Sequence, residues 1–132
     1  MILGFKQQFP DNTPTNFKEK ILSGEKIHSI RAGNRWKPGM SIQMAYGVRT
    51  KNYKQFNYCR SKFERCVSVQ RIFITYECEL EITVGMNELT PMQIAKLIKN
   101  DGLTRDQFID WFLPEKVSEF SGQIIHWTDY QY

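Results

Sequence analysis

The spacing of apolar residues along this 132-residue chain changes several times, and each change predicts an element. Residues 2–5, Ile-Leu-Gly-Phe, read as a short strand that is closed by a polar, proline-containing stretch over 7–14. Phe17, Ile21 and Leu22 fall at helical spacing and are followed by Ser23-Gly24, which predicts a short helix with Gly24 as its C′ residue. Residues 26–31 have strand character. Ala32-Gly33-Asn34 and Lys37-Pro38-Gly39 are turn signals around Trp36, and 40–46 alternate as the next strand. Within 66–76, Val67, Val69, Ile72 and Ile74 are dense and β-branched. Cys78, Leu80, Ile82 and Val84 then alternate with Glu77, Glu79, Glu81 and Thr83, the cleanest period of two in the chain, with the glutamates on the exposed face.

Two helices follow, and both begin with the same chemistry. Thr90 has Pro91 at N1 and Gln93 at N3, and Thr104 has Gln107 at N3, so each is a capping box; Leu89 with Ile94 and Leu103 with Phe108 are the matching staples. The first helix stops before Gly102 and the second before Pro114. Ile124, Ile125 and Trp127 mark a final strand over 122–130. Short strands with one early helix and a late helical pair predict an α+β fold, a small, mostly antiparallel β-barrel decorated by about three short helices.

The length suits a single domain over 1–132, and 41% hydrophobic with 24% charged residues excludes a disordered tail. Eighteen Lys and Arg against fourteen Asp and Glu give a net charge of +4, which by itself says only that an anionic partner fits. Sorted by position the charge becomes informative. Residues 49–71 hold seven basic side chains against Glu64 alone, whereas from Ile72 onward four basic residues face ten acids. The stretch 49–65 has no clean period and reads as a long loop or irregular hairpin. Its aromatics lie between cations, with Arg49, Lys51, Tyr53 and Lys54 leading, and that mixture suits stacking on single-stranded RNA while neutralising its phosphates. The same residues also suit a solvated loop whose aromatics pack on the barrel.

Three cysteines and two histidines supply neither a disulfide framework nor a zinc cage. The odd count, with Cys59 and Cys66 seven apart and Cys78 isolated, points to small buried thiols in a reducing compartment. The apolar start is too short for a signal peptide, and no run approaches the roughly 18 residues that span a bilayer, so the expected location is the cytoplasm, away from any membrane.

The densest candidate chemistry is Ser23-Gly24-Glu25-Lys26-Ile27-His28-Ser29-Ile30-Arg31. A helix-ending glycine is followed by a lysine, a hydroxyl and an arginine. Arg31 can fork onto a phosphate or carboxylate, and Lys26 can serve as a point charge or, if desolvated, as a base or nucleophile. A solvated Lys-Arg strand fits the composition as well. His28 and His126 read as structural residues, Trp111 and Phe112 pack with Phe108 as core, and Trp36 either lines a base pocket or packs beneath its turn.

The spacing Gly24-x-Lys26-x-x-Ser29-x-Arg31 resembles the signature of ASCH domains. Trp36-Lys37-Pro38-Gly39 resembles that family's basic turn, Asp101-Gly102-Leu103-Thr104 its acidic turn, and Ile124-Ile125-His126-Trp127 its closing strand. The resemblance covers the chain except 49–65, which looks like a basic loop insertion. It implies a PUA-like barrel that binds RNA or a modified nucleoside or nucleotide in a cleft between barrel and helices. The implied binding surface is Gly24, Arg31, Arg35 and Trp36 with the basic loop. A bacterial branch of the family is a metal-independent, cofactor-free amidohydrolase acting on 4-acetylcytidine through a lysine, a threonine and a glutamate. Carried over residue by residue, these fall on Lys26, Ser29 and Asp101, with Arg31 as an anchor. Ser29 keeps the hydroxyl, but Asp101 is one methylene shorter than glutamate. Strict alternation would also put Lys26 and Ser29 on opposite faces, so cooperation requires Lys26 to lie before the strand proper. A non-catalytic protein-interaction module is the remaining alternative.

Overall fold

In the computed structural model of the chain, residues 1–57, 65–115 and 117–132 are described. Tyr58, Cys59, Arg60 and Lys62 of the basic loop, together with Lys116, lie outside them. Among the described residues the order is β1 (Ile2–Phe5), α1 (Phe17–Ser23), β2 (His28–Ala32), β3 (Gln43–Tyr46), β4 (Lys54–Gln55), β5 (Ser68–Tyr76), β6 (Leu80–Val84), β7 (Asn87–Glu88), α2 (Pro91–Asn100), α3 (Arg105–Phe112) and β8 (Glu119–His126). The chain is therefore α+β.

Local chemistry explains the helix ends. In α2, Gln93 N–H donates to Thr90 Oγ1 at 3.3 Å and Thr90 N–H to Gln93 Oε1 at 2.8 Å. In α3, Thr104 and Gln107 make the same exchange at 3.3 and 3.0 Å. Two donors at each start, which have no partner inside the helix, are thereby satisfied. Gly24 ends α1 in the left-handed region at φ 83, its N–H donating to Ile21 O.

The strands form a three-stranded sheet in the order β1-β3-β4 and a five-stranded sheet in the order β2-β8-β5-β6-β7. Among the described residues, only the β1–β3 pair is parallel. Leu80, Ile82 and Val84 turn inward and Glu79 and Glu81 outward, as the period of two requires, but Cys78, expected on the buried face, lies in the bend before β6 and is exposed. β8 lies between β2 and β5 and is buried from Gly122 to His126, because neighbours cover it on both sides. It begins at Glu119, earlier than the apolar run suggests, since its first residues pair with β5 through Thr75↔Glu119; the chain leaves the sheet after His126. Gly122 is required where β8 meets β2, because a Cβ there would fall on the Arg31 carbonyl.

The expected closed barrel is not formed among the described residues. On one side, the segments leading into β3 and β5 are joined by backbone bonds, Gly39 N–H to Cys66 O and Cys66 N–H to Met40 O, both at 2.8 Å. On the other side, the edges of β1 and β2 share no ladder. One side chain bridges them, with Arg31 Nη2 donating to Gly4 O. A cavity occupies this seam. The described part of the basic insertion is a hairpin, in which β4 pairs with β3 through Tyr46↔Lys54 and Ala45↔Gln55.

Candidate functional site

The end of α2 builds the site. Asp101 caps the helix, its N–H donating to Leu97 O at 3.0 Å, and Gly102 then turns the chain at φ 80. A side chain at 102 would be strained and would meet Lys26 Cδ at 3.2 Å. The turn presents two carbonyls to two lysines. Lys26 Nζ donates to Asp101 O at 2.6 Å, and Lys20 Nζ donates to Gly102 O at 2.8 Å. Cations are favoured here by the negative end of the helix dipole.

Lys26 Nζ also donates to Asp101 Oδ1 at 3.0 Å, and the two side chains are only 2% and 4% exposed. The shorter aspartate therefore reaches, because its own backbone carbonyl lies beside the same ammonium. The face of Phe17, 4.9 Å from Nζ to the ring centroid, completes the surroundings.

Lys26 precedes β2. Its N–H donates to Lys20 O and that of Ile27 to Asn100 O, each at 2.9 Å. Free of strand alternation, Lys26 lines the same cavity as Ser29, Arg31 and Asp101. This cavity, about 330 Å³, lies between the β1 and β2 edges beneath α3. Lys26, Ser29 and Asp101 are buried at its base, while exposed Lys6, Pro10 and Asp110 and half-buried Trp111 form its mouth. Ser29 Oγ makes no protein hydrogen bond among the described residues and is left to the cavity. Arg31 donates to the Gly4 and Ile30 carbonyls and stacks over Phe5 at 5.3 Å, with guanidinium donors to spare.

Burial is the largest influence on the Lys26 ammonium and lowers its pKa to about 8, against the pull of Asp101. Burial raises the Asp101 carboxyl, but the Lys26 charge and the facing His28 more than offset it, and the carboxyl ionises below its ordinary range. Burial likewise lowers His28 and disfavours its charged form. His28 Nδ1 lies 3.3 Å from Asp101 Oδ1, off the line of a full hydrogen bond, and Nε2 meets Tyr132 Oη at 2.7 Å.

The other sequence candidates lie elsewhere. Gly24 is an exposed helix stop, and Arg35 is exposed beside a neighbouring cleft. Trp36, 4% exposed, packs in the core with its backbone N–H donating to Gln123 Oε1 at 3.0 Å. Arg49, Lys51, Tyr53 and Lys54 are exposed on the β3–β4 hairpin and do not line the cavity. Sequence reasoning passed over Lys20, Phe5, Phe17, Trp111 and Tyr132. The local signals among them are the helical spacing of Phe17 with Ile21 and that of Trp111 with Phe108, both of which read as core packing. Among the described residues no cluster of His, Cys, Asp and Glu is placed to hold a metal ion, and no helix is long and apolar enough to cross a membrane.

No family model, curated protein or solved structure matches the chain.

Proposed function

We propose that this chain is an ASCH-like domain, a PUA-like fold opened at one seam, that takes an acylated nucleoside such as 4-acetylcytidine into the Lys26 cavity and hydrolyses its amide. The observation that carries this reading is the meeting of the buried Lys26–Asp101 pair, the unbonded Ser29 hydroxyl and Arg31 in one cavity of small-ligand size. With a pKa of about 8, roughly a tenth of Lys26 is neutral at pH 7, against about one in three thousand for an ordinary lysine. The neutral amine can accept a proton from a water molecule aligned by Ser29 Oγ. The resulting hydroxide adds to the acyl carbon, and the new ammonium and Arg31 face the oxyanion. Cleavage of the C–N bond returns the Lys26 proton to the departing amine, giving cytidine and acetic acid from 4-acetylcytidine, and the acid then ionises to acetate by losing its proton to water. Asp101, ionised throughout, holds Nζ in place. The scheme draws only on groups of this chain.

Release of cytidine from 4-acetylcytidine, followed by chromatography, tests this. The expected result is turnover by the natural chain and a loss on the order of 100-fold or more in Lys26→Arg, which keeps the charge but not the accessible base. No release by the natural chain overturns it.

A second reading is favoured by a different observation, the exposed Arg49, Lys51, Tyr53 and Lys54 hairpin outside the cavity. On this reading the hairpin binds single-stranded RNA. Replacing Arg49, Lys51 and Lys54 by alanine should then weaken binding and flatten its salt dependence by about two log units per log unit, as expected for three phosphate contacts. An unchanged salt slope would exclude it.

A further inference from the structure

Behind the cavity lies a second row of polar groups that the hydrolytic scheme does not use. Asn100, the last residue of α2, donates from Nδ2 to Tyr132 Oη at 2.9 Å, and Tyr132 Oη meets His28 Nε2 at 2.7 Å. His28 Nδ1 faces Asp101 Oδ1, which accepts from Lys26. Tyr132 is held independently of this row. Gln70 Nε2 donates to its carbonyl at 2.8 Å, and its N–H donates to Gln70 Oε1 at 2.9 Å.

The donors in this row can be ordered. A carboxylate oxygen 3.3 Å from Nδ1 favours a proton there even off the hydrogen-bond line, since a bare nitrogen would set its lone pair beside an anion. A neutral ring with its proton on Nδ1 has a bare Nε2, which needs a donor. Asn100 donates to the Tyr132 oxygen from its other side, and the hydroxyl proton is free to point at the bare Nε2. The direction is then uniform: Asn100 N–H to Tyr132 Oη, Tyr132 O–H to His28 Nε2, and His28 Nδ1–H toward Asp101.

We propose that Tyr132, oriented by Asn100, is a positioning residue that fills His28 Nε2 with its hydroxyl proton, keeps that ring uncharged, and so reserves the Asp101 carboxylate for Lys26. The inference rests on the role given to Lys26 and Asp101 above, but its test needs no substrate. An imidazolium at His28 would set a second buried cation against Asp101 beside Lys26. Among the described residues, the charged or titratable groups around His28 are Asp101, Lys26, His126 and Tyr132, and around Lys26 they are Asp101, His28, Arg31 and Lys20. With one carboxylate among several cations, a proton added to Nε2 weakens the hold on the lysine. In Tyr132→Phe, residue 132 is half-buried and a water molecule can take the hydroxyl's place, accept from Nε2–H, and so let the ring take that proton. The ring contacts of residue 132 with His28, His126 and Tyr130 survive this change, so the fold is expected to persist.

The experiment is nitrogen and carbon NMR of the full chain labelled at histidine. In the natural chain the expected His28 signals are those of a single Nδ1–H form that is still neutral at pH 6.5. In Tyr132→Phe the His28 protonation midpoint should rise by about one pH unit, the tenfold effect of one ordinary hydrogen bond. Asn100→Ala, which frees the tyrosine oxygen to accept from Nε2–H, should move it the same way by less. A proton found on Nε2 in the natural chain overturns the proposal, and so does a His28 midpoint that neither variant moves. If the chain also hydrolyses 4-acetylcytidine, the acid limb of its rate profile should move to higher pH in Tyr132→Phe. Absence of turnover with the expected His28 behaviour would count against the hydrolase alone.

Discussion

Replacing Lys26 by methionine keeps most of the side-chain volume and removes the titrating amine, which isolates what burial does to that group. The folded chain releases the Lys26 proton near pH 8, whereas an unfolded lysine holds it to the ordinary value of 10.5. Between those values the unfolded chain binds more protons, so stability rises with pH. The contribution is complete above about 10.5 and is lost as pH falls through about 8. At about 1.4 kcal/mol per pH unit, the interval corresponds to roughly 3 kcal/mol. The level at any single pH also contains the cost of leaving Asp101 without its cation, about 3–5 kcal/mol for a broken buried pair. At the alkaline end the slope does not contain it, because there Asp101 is ionised in both chains even though burial raises its carboxyl once Lys26 is gone. Urea unfolding at half-unit steps from pH 7.5 to 10.5 reads the slope directly. The natural chain should gain roughly 3 kcal/mol relative to Lys26→Met over that range. Parallel curves would show that Lys26 titrates like a solvated lysine and would refute its desolvation, and with it the supply of neutral amine near pH 7.

Gly122→Ala should force β2 away from β8 at Arg31 and cost at least 1–3 kcal/mol, roughly, as overpacking does, read as a lower thermal midpoint; an unchanged midpoint would mean that the close approach is absent. Burial holds His126 to a pKa of about 4, so stability should fall as pH drops from 6.5 toward 4, and His126→Gln should flatten this part of the acid unfolding curve; equal curves would contradict that burial. Thr104→Ala should lose about 1 kcal/mol, because Gln107 N–H gives up its acceptor at the start of α3, and a change below a few tenths in denaturant midpoint analysis would show that the cap contributes nothing.

What could be read along the chain was what local chemistry decides. The Thr90 and Thr104 boxes each depend on residues three positions apart, and both helices start where those residues stand. The alternation over 80–84 is also local and survives as β6. Barrel closure is not local. It depends on whether the β1 and β2 edges meet, and the space between them is a cavity lined from β1, α1, the segment of β2, the turn after α2 and α3. The placement of Lys26 before β2 follows from the bond between Ile27 and Asn100, a pairing across the fold that no periodicity announces. The reach of Asp101 could not be judged from its length, because the backbone carbonyl that shares the ammonium depends on the Gly102 turn. His28 and Tyr132 are 104 positions apart, and only the folded chain makes them neighbours.

The guanidinium of Arg31 does two jobs with one set of donors, tying the β1 edge to β2 and lining the cavity. A ligand that draws those donors toward itself competes with the Gly4 carbonyl for them, so occupancy and the grip between the two sheets are thermodynamically linked. Arg31→Lys would weaken both at once, since a single ammonium cannot fork between a carbonyl and an anion. Affinity at this cavity cannot be retuned through residue 31 without also retuning how firmly the molecule holds its own two halves together.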